Sequence, residues 1–186
     1  RLLDAAREEE YPDEDVQAAL RTLLGAAERG DAYAQYQAGK LYREGYFLPR
    51  DDAGAKMFFE RATKQENHFA EYALGKLQAD ETAPFSDETK AADWFERAAE
   101  HGNGFAKYRL AKYFLNGKGR AVDAGSAARL FAEAAQASDV YVRRFVTPWA
   151  KYQLGKLYIR GNGVPRDWAK AEELLRSAAQ DGNEFA

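Results

Sequence analysis

The sequence contains no cysteine among its 186 residues. Disulfide cross-links and thiolate chemistry are therefore excluded, and so is any fold that depends on either. Histidine is almost as scarce, with only His68 and His101, and no paired ligand spacing that would suit a metal. No metal and no cofactor is expected. Only five prolines occur, and β-branched residues are few beside many alanines, which favours helix over sheet. No run of eighteen apolar residues is present, so no membrane-spanning helix is expected. The formal net charge is −3, without the clustered excess of Lys and Arg that nucleic acid or anionic lipid would need. Neither partner is expected to bind this sequence directly. The stretch Arg1 to Glu10 is too charged for a secretory signal, and with the missing cysteines this points to the cytoplasm.

What the sequence does contain is a repeat. An alanine follows an aromatic residue at Tyr33-Ala34, Phe69-Ala70, Phe105-Ala106, Trp149-Ala150 and Phe185-Ala186, in steps of 36, 36, 44 and 36. Two further series, Ala26, Ala62, Ala98, Ala134, Ala178 and Asp15, Asp51, Asp87, Asp123, Asp167, share the 36-residue period and a single step of 44. The eight extra residues fall between Ala134, which is in phase, and Ala150, which is late, so the affected stretch is Gln136 to Trp149. One solenoid is expected over 1–186, with a partial unit at 1–30 and units at 31–66, 67–102, 103–146 (carrying the insertion) and 147–182. A further unit begins at 183–186. Repeats of this length stack on their neighbours instead of sharing one central core.

Each unit reads as two helices. The first opens near Asp31, Asn67, Asn103 and Thr147, whose side-chain oxygens can accept from free amides at a helix start. Pro148 suits the first helical position, where no amide partner is needed. Ala150, Leu154, Leu157 and Tyr158 then form one apolar stripe. Gly45, Gly117 and Gly161 end this helix, and the recurring aspartates open the second at its positive dipole end. The stripe of the second helix is Ala91, Trp94, Phe95, Ala98 in one unit and Ala171, Leu174, Leu175, Ala178 in another, closed by Gly30, Gly102 and Gly182. The expected fold is all-α: a right-handed α/α superhelix of about ten antiparallel helices. Because both ends fall inside units, the sequence is expected to be a piece of a longer array, whose open ends would favour self-association.

One unit carries a recognisable motif: Ala150-Lys-Tyr-Gln-Leu-Gly-Lys-Leu-Tyr158, then Gly161-Asn-Gly-Val-Pro-Arg-Asp167, Lys170-Ala171 and Ala178-Ala-Gln-Asp-Gly182-Asn. It resembles the Sel-one-like repeat (SLR) family, relatives of the tetratricopeptide repeat. The resemblance implies a solenoid that binds a protein or peptide as a non-catalytic scaffold or adaptor, with the first helices lining a concave groove. Its cysteine-rich secreted branch does not fit this sequence. The Tyr-x-Leu-Gly-Lys-Leu-Tyr style also resembles repeat tails of bacterial plasmid-mobilisation proteins, so an accessory domain of a DNA-processing protein is the alternative, with a structural self-associating module a third. Departures from the motif fall at Gln78-Ala-Asp-Glu-Thr-Ala83, where glycines are expected, and at Ala111, which stands where other units have Gly39, Gly75 and Gly155.

Two groups of residues are candidate partner contacts. Lys40, Lys76, Lys112 and Lys156 each follow Tyr36, Tyr72, Tyr108 and Tyr152 by four residues, which stacks them on one helical face. Such a ladder would suit an acidic peptide or a C-terminal carboxylate; alternatively, the tyrosines are packing and the lysines a solvated rim. Specificity is expected from positions that vary on the same helices: Gln35, Glu71, Lys107 and Lys151, with Gln37, Arg109 and Gln153. The insertion supplies Tyr141, Arg143 and Arg144, an interface-like mixture, with a longer second helix or a strained connection as the alternatives. No catalytic residue is expected, since the glycine pairs Gly117/Gly119 and Gly161/Gly163 follow helices, not strands, and make no phosphate loop.

Overall fold

The computed structural model describes residues 14–83 and 85–186. Among them are ten helices and no strand: α1 (Glu14–Glu28), α2 (Ala32–Glu44), α3 (Asp52–Thr63), α4 (His68–Gln78), α5 (Glu88–Glu100), α6 (Gly104–Asn116), α7 (Ala124–Ala135), α8 (Val140–Phe145), α9 (Thr147–Arg160) and α10 (Trp168–Gln180). Each of α2, α4, α6 and α9 packs on the helix that ends its own unit, and each second helix also packs on the first helix of the next. The same holds for α7, which contacts α9 directly although α8 lies between them in the chain. No helix among the described residues is long and apolar enough to cross a membrane.

The aspartate series does what its chemistry predicts. Asp51, Asp87, Asp123 and Asp167 are N-caps of α3, α5, α7 and α10, each in extended backbone with its carboxylate accepting amides of the first turn. Asp15 is different, lying inside the first turn of α1. Fully buried alanines line the contacts between helices, including Ala55, Ala62, Ala70, Ala91, Ala98, Ala106, Ala127 and Ala150. Phe59 and Phe95 fill the remaining space, and the small residues opposite are there for them. A methyl group on Gly39 or Gly75 would come within 2.5 Å of the Phe59 or Phe95 ring. At Gly155 the partner is Leu175, and the nearest approach relaxes to 3.0 Å.

Asparagine at the start of the first helix has two functions. Its Oδ1 accepts amides of its own helix, as Asn67 does from Phe69 and Ala70. Its Nδ2 donates to a carbonyl of the preceding first helix: Asn67 to Ala32, Asn103 to His68 at 3.3 Å, Asn183 to Pro148 at 3.2 Å. Aspartate could cap a helix but could not donate as well. Thr147 stands in the corresponding position and was expected to cap α9. It does not: it is the first residue of the helix, Val146 precedes it without a side-chain cap, and its hydroxyl donates to Ala134 O at 3.1 Å. With Thr147 inside the helix, Pro148 sits in the first turn, one residue later than its expected place.

Two further departures follow from local sequence. The glycines Gly30, Gly102 and Gly182 adopt left-handed backbone, as expected, but the corresponding residue after α3 is Glu66, at φ 57°. In the turn from α4 to α5, where glycines are missing, Ala79 ends the helix in right-handed backbone. Asp80 then organises the loop by accepting from the amide and hydroxyl of Thr82.

The insertion neither extends α7 nor stays irregular. It forms the short helix α8, capped by Asp139, whose carboxylate accepts from Val142 N at 2.8 Å. Val142 and Val146 are buried and anchor it. Val142 presses on the start of α6 at Gly104, where an added Cβ would meet its Cγ1 at 2.6 Å. The corresponding residues elsewhere are Ala32, His68 and Pro148, all with a Cβ, so glycine stands in the unit that α8 covers.

Candidate partner-binding face

The tyrosine–lysine ladder forms as the spacing predicts. Lys40, Lys76, Lys112 and Lys156 place their ammonium groups 5.9, 5.8, 5.9 and 5.0 Å from the ring centres of Tyr36, Tyr72, Tyr108 and Tyr152. At these distances the cation is attracted to the ring face. The tyrosines are half-buried because they also pack within and between units. Tyr36 contacts Phe59 and Phe69, Tyr72 contacts Phe95 and Phe105, and Tyr108 contacts Phe131. Burial pushes the Tyr36 and Tyr108 hydroxyls above the usual phenol range, even though Tyr108 is bonded by Gln153 and sits near Arg109. Lys76 reaches the surface in the middle of the ladder. Crowding by neighbouring side chains, then the charges of Arg43, Arg109 and Lys40, push its ammonium below the usual lysine range.

Four of the positions expected to give specificity, Gln35, Glu71, Lys107 and Lys151, face elsewhere, whereas Arg109 and Gln153 lie beside Tyr108. One residue before each tyrosine, the side chain is turned by about 100° and points at the unit's own second helix. Gln35 is buried, donates to Ala27 O and accepts from Gln65 Nε2. Glu71 is completely buried, 2.7 Å from His101 Nδ1 and 3.2 Å from Arg97. Lys107 pairs with Glu133 at 2.8 Å, and Lys151 pairs with Asp181 and donates to Ser177. These residues clasp each helix pair with a different polar combination. Their variation is matched inside the fold, and they are not groove residues. Glu133 shows the strength of the clasp: burial works against its charge, but Lys107 and then Arg129 outweigh that and hold its carboxyl below the usual range.

The insertion residues also divide. Tyr141 is 69% exposed and lines a cleft of about 600 Å³ together with Tyr36, Tyr72, Phe69, Phe105 and Phe145. Arg143 and Arg144 line another cleft with Thr147, Lys151 and Asp181. Neither Arg109 nor the pair Tyr152 and Lys156 borders the aromatic cleft. Phe69, Phe105 and Phe145 join the cleft in addition to the residues expected from the sequence. The signal for the first two was present, since each lies three residues before a ladder tyrosine and so shares its face. Nothing local announces Phe145, which reaches the cleft only because α8 folds back on α6.

The sequence profile of the Sel1 repeat matches residues 32–67, 68–103, 104–139 and 150–183, leaving unmatched the segment that holds all of α8. The chain belongs to the Sel1 repeat family. Among solved structures, it is similar to c5321, a protective antigen of uropathogenic Escherichia coli with an SLR fold, at 31% identity and a TM-score of 0.80 over 89% of this chain. A Sel1 repeat protein from Oxalobacter formigenes is also 31% identical, with a TM-score of 0.78 over 94% of this chain. The present Sel1 repeats span 34% of the first protein and 48% of the second. A Klebsiella pneumoniae Sel1 repeat protein, 20% identical with a TM-score of 0.51, shares the fold over 88% of this chain. Comparison with curated proteins gives no match.

Proposed function

We propose that this Sel1 repeat chain is a non-catalytic scaffold that holds a peptide or protein partner on the face formed by its first helices. The observation that carries the reading is a difference between two sets of lysines on the same helices. Lys107 and Lys151, in the clasps, are paired with carboxylates. Among the described residues, none of the ladder lysines Lys40, Lys76, Lys112 and Lys156 forms an ion pair with a carboxylate, and each lies over a tyrosine ring. A row of ammonium groups over rigid, half-buried rings offers charge to an acidic partner and contact area at little entropic cost. Sel1 repeat proteins as a class are interaction scaffolds, which agrees with this use of the face.

The test is affinity capture with the wild type and with a variant carrying Lys→Glu at positions 40, 76, 112 and 156. Partners recovered by the wild type should be lost from the variant while its helical circular dichroism is retained. Equal recovery by both proteins would remove the ladder from the binding face. A second surface favours self-association: the outer face of the last helix pair, where Ile159, Leu175 and the 62% exposed Trp168 border an open cleft. Light scattering should then show mass rising with concentration, and Leu175→Glu should suppress the rise. A strict monomer at high concentration would sink this second reading.

A further inference from the structure

The aromatic cleft beneath α8 and the lysine ladder meet at two shared residues. Tyr36 and Tyr72 border the 600 Å³ cleft on one side. On the other they border a smaller cleft of about 220 Å³ that contains Lys40, Arg43, Glu44 and Lys76. The two halves differ in chemistry. In the larger, Phe69, Tyr141 and Phe145 are 46%, 69% and 55% exposed, an unusual concentration of open aromatic surface. The acidic group at that end, Asp139, has its carboxylate engaged in capping α8. In the smaller, three cations face Glu44, and Arg43 is partly offset by Asp80 at 3.6 Å. Lys40 and Lys76 carry the surplus. The side chain of Lys76 leaves its helix one turn from Tyr72, about 6 Å along the axis.

We infer that this two-part groove binds a peptide segment that inserts one bulky apolar side chain between Phe69, Phe105, Tyr141 and Phe145 and places a carboxylate on Lys40 and Lys76, whose ammonium groups lie 5.9 and 5.8 Å from the centres of the bordering Tyr36 and Tyr72 rings. The inference rests on the binding face proposed above and adds to it the identity of what is bound. The volume lies within the range of about 300–1,000 Å³ typical of ligand sites. An aromatic or large aliphatic side chain there removes exposed ring surface from water on both sides. A carboxylate at the other end relieves the mutual repulsion of Lys40, Arg43, Lys76 and Arg109. An extended chain advances about 3.3 Å per residue, so an acidic residue about three positions from the apolar one spans the roughly 10 Å of helix rise between Phe69 and Lys76. The α-carboxylate of a peptide ending in the apolar residue would also reach it. Without the inserted helix the groove would be an open shelf of tyrosines, so α8 is what gives this array a pocket.

Fluorescence anisotropy on the full chain tests the inference. The probes are fluorescein-labelled nine-residue peptides of serine and glutamate with one phenylalanine, either central with an amidated end or terminal with a free carboxylate. The wild type should bind at least one of them, and replacing the phenylalanine by alanine should weaken binding by about tenfold or more. Tyr141→Ala/Phe145→Ala removes exposed side chains and leaves buried Val142 in place, so the protein should fold as before. It should lose the preference for phenylalanine over alanine, and Lys40→Glu/Lys76→Glu should lose binding of both. A preference for the central or the terminal probe would identify the carboxylate source. If the lysine variant loses binding but the alanine variant still prefers phenylalanine, the pocket is overturned and the binding face stands. If the wild type binds the phenylalanine and alanine probes equally, the pocket is overturned as well. If charge reversal of the lysines leaves binding unchanged, both readings fall.

Discussion

Glu66 shows how a single residue can depart from the repeat at a cost. It occupies a left-handed position, φ 57°, that Gly30, Gly102 and Gly182 fill after α1, α5 and α10. A Cβ in this region is crowded by the following carbonyl, at about 1–2 kcal/mol. Its side chain is exposed, so little packing is lost on its removal. Glu66→Gly should stabilise the chain by about 1 kcal/mol, less what glycine adds to the entropy of the unfolded state, and chemical denaturation would measure it. Acid acts at the same scale. The amide and side chain of Lys90 hold the Asp87 carboxyl below its ordinary range, and the hydroxyl and amide of Ser126 do the same for Asp123. A carboxylate with a depressed folded pKa contributes stability that is full above its unfolded value of about 3.9 and is lost as pH falls through the folded value. Asp123→Asn keeps an oxygen for the cap but binds no proton. The fall in melting temperature between about pH 5 and about pH 2 should therefore be smaller in this variant than in the wild type. An equal fall in both would mean that the cap contributes no acid sensitivity.

Within and between helices, stability depends on contacts a few tenths of an ångström wide. Gly75→Ala forces a methyl group against the Phe95 ring and should cost about 1–3 kcal/mol. Gly155→Ala meets the Leu175 side chain at 3.0 Å instead and should cost clearly less, since the contact is looser and alanine favours helix. Similar losses at the two sites would show that ring packing is not what keeps the first of them small. The asparagine strap gives a sharper contrast. Asn103→Asp retains an oxygen to cap Ala106 N but replaces the donor that reaches His68 O. Because the site is buried, the variant should lose roughly 1–3 kcal/mol despite keeping its cap. Asp31→Asn, at the surface, should change stability little. These positions are conspicuous in the sequence as a repeating Asn, but a cap was all that local reasoning could assign to them. The second bond goes to a residue 35 positions away.

At the scale of the whole molecule, α8 is an addition to an otherwise periodic array. Removing residues 139–146 restores the 36-residue phase and should leave a folded, cooperatively melting protein, because α7 already packs on α9. The coupling between α8 and the array can be read from Gly104. In the full chain Gly104→Ala collides with Val142 and should cost about 1–3 kcal/mol. In the deleted chain, where Val142 is absent, the same substitution should be neutral or stabilising. If it is destabilising in both, α8 is not what requires glycine there.

The period, the helix pairs, the capping aspartates and the tyrosine–lysine ladder all follow from the sequence by itself. Each depends on contacts within a few residues or on a spacing repeated along the chain. Local chemistry repeated four times can be read without coordinates. Only the tertiary structure decided where Gln35, Glu71, Lys107 and Lys151 point, because their partners lie 26–30 residues further on. It also decided that Tyr141 joins Tyr36 and Tyr72 in one cleft while Arg143 and Arg144 do not. The path of an unrepeated segment depends on which surface it covers, here Gly104 on α6. No periodic signal marks that surface in advance.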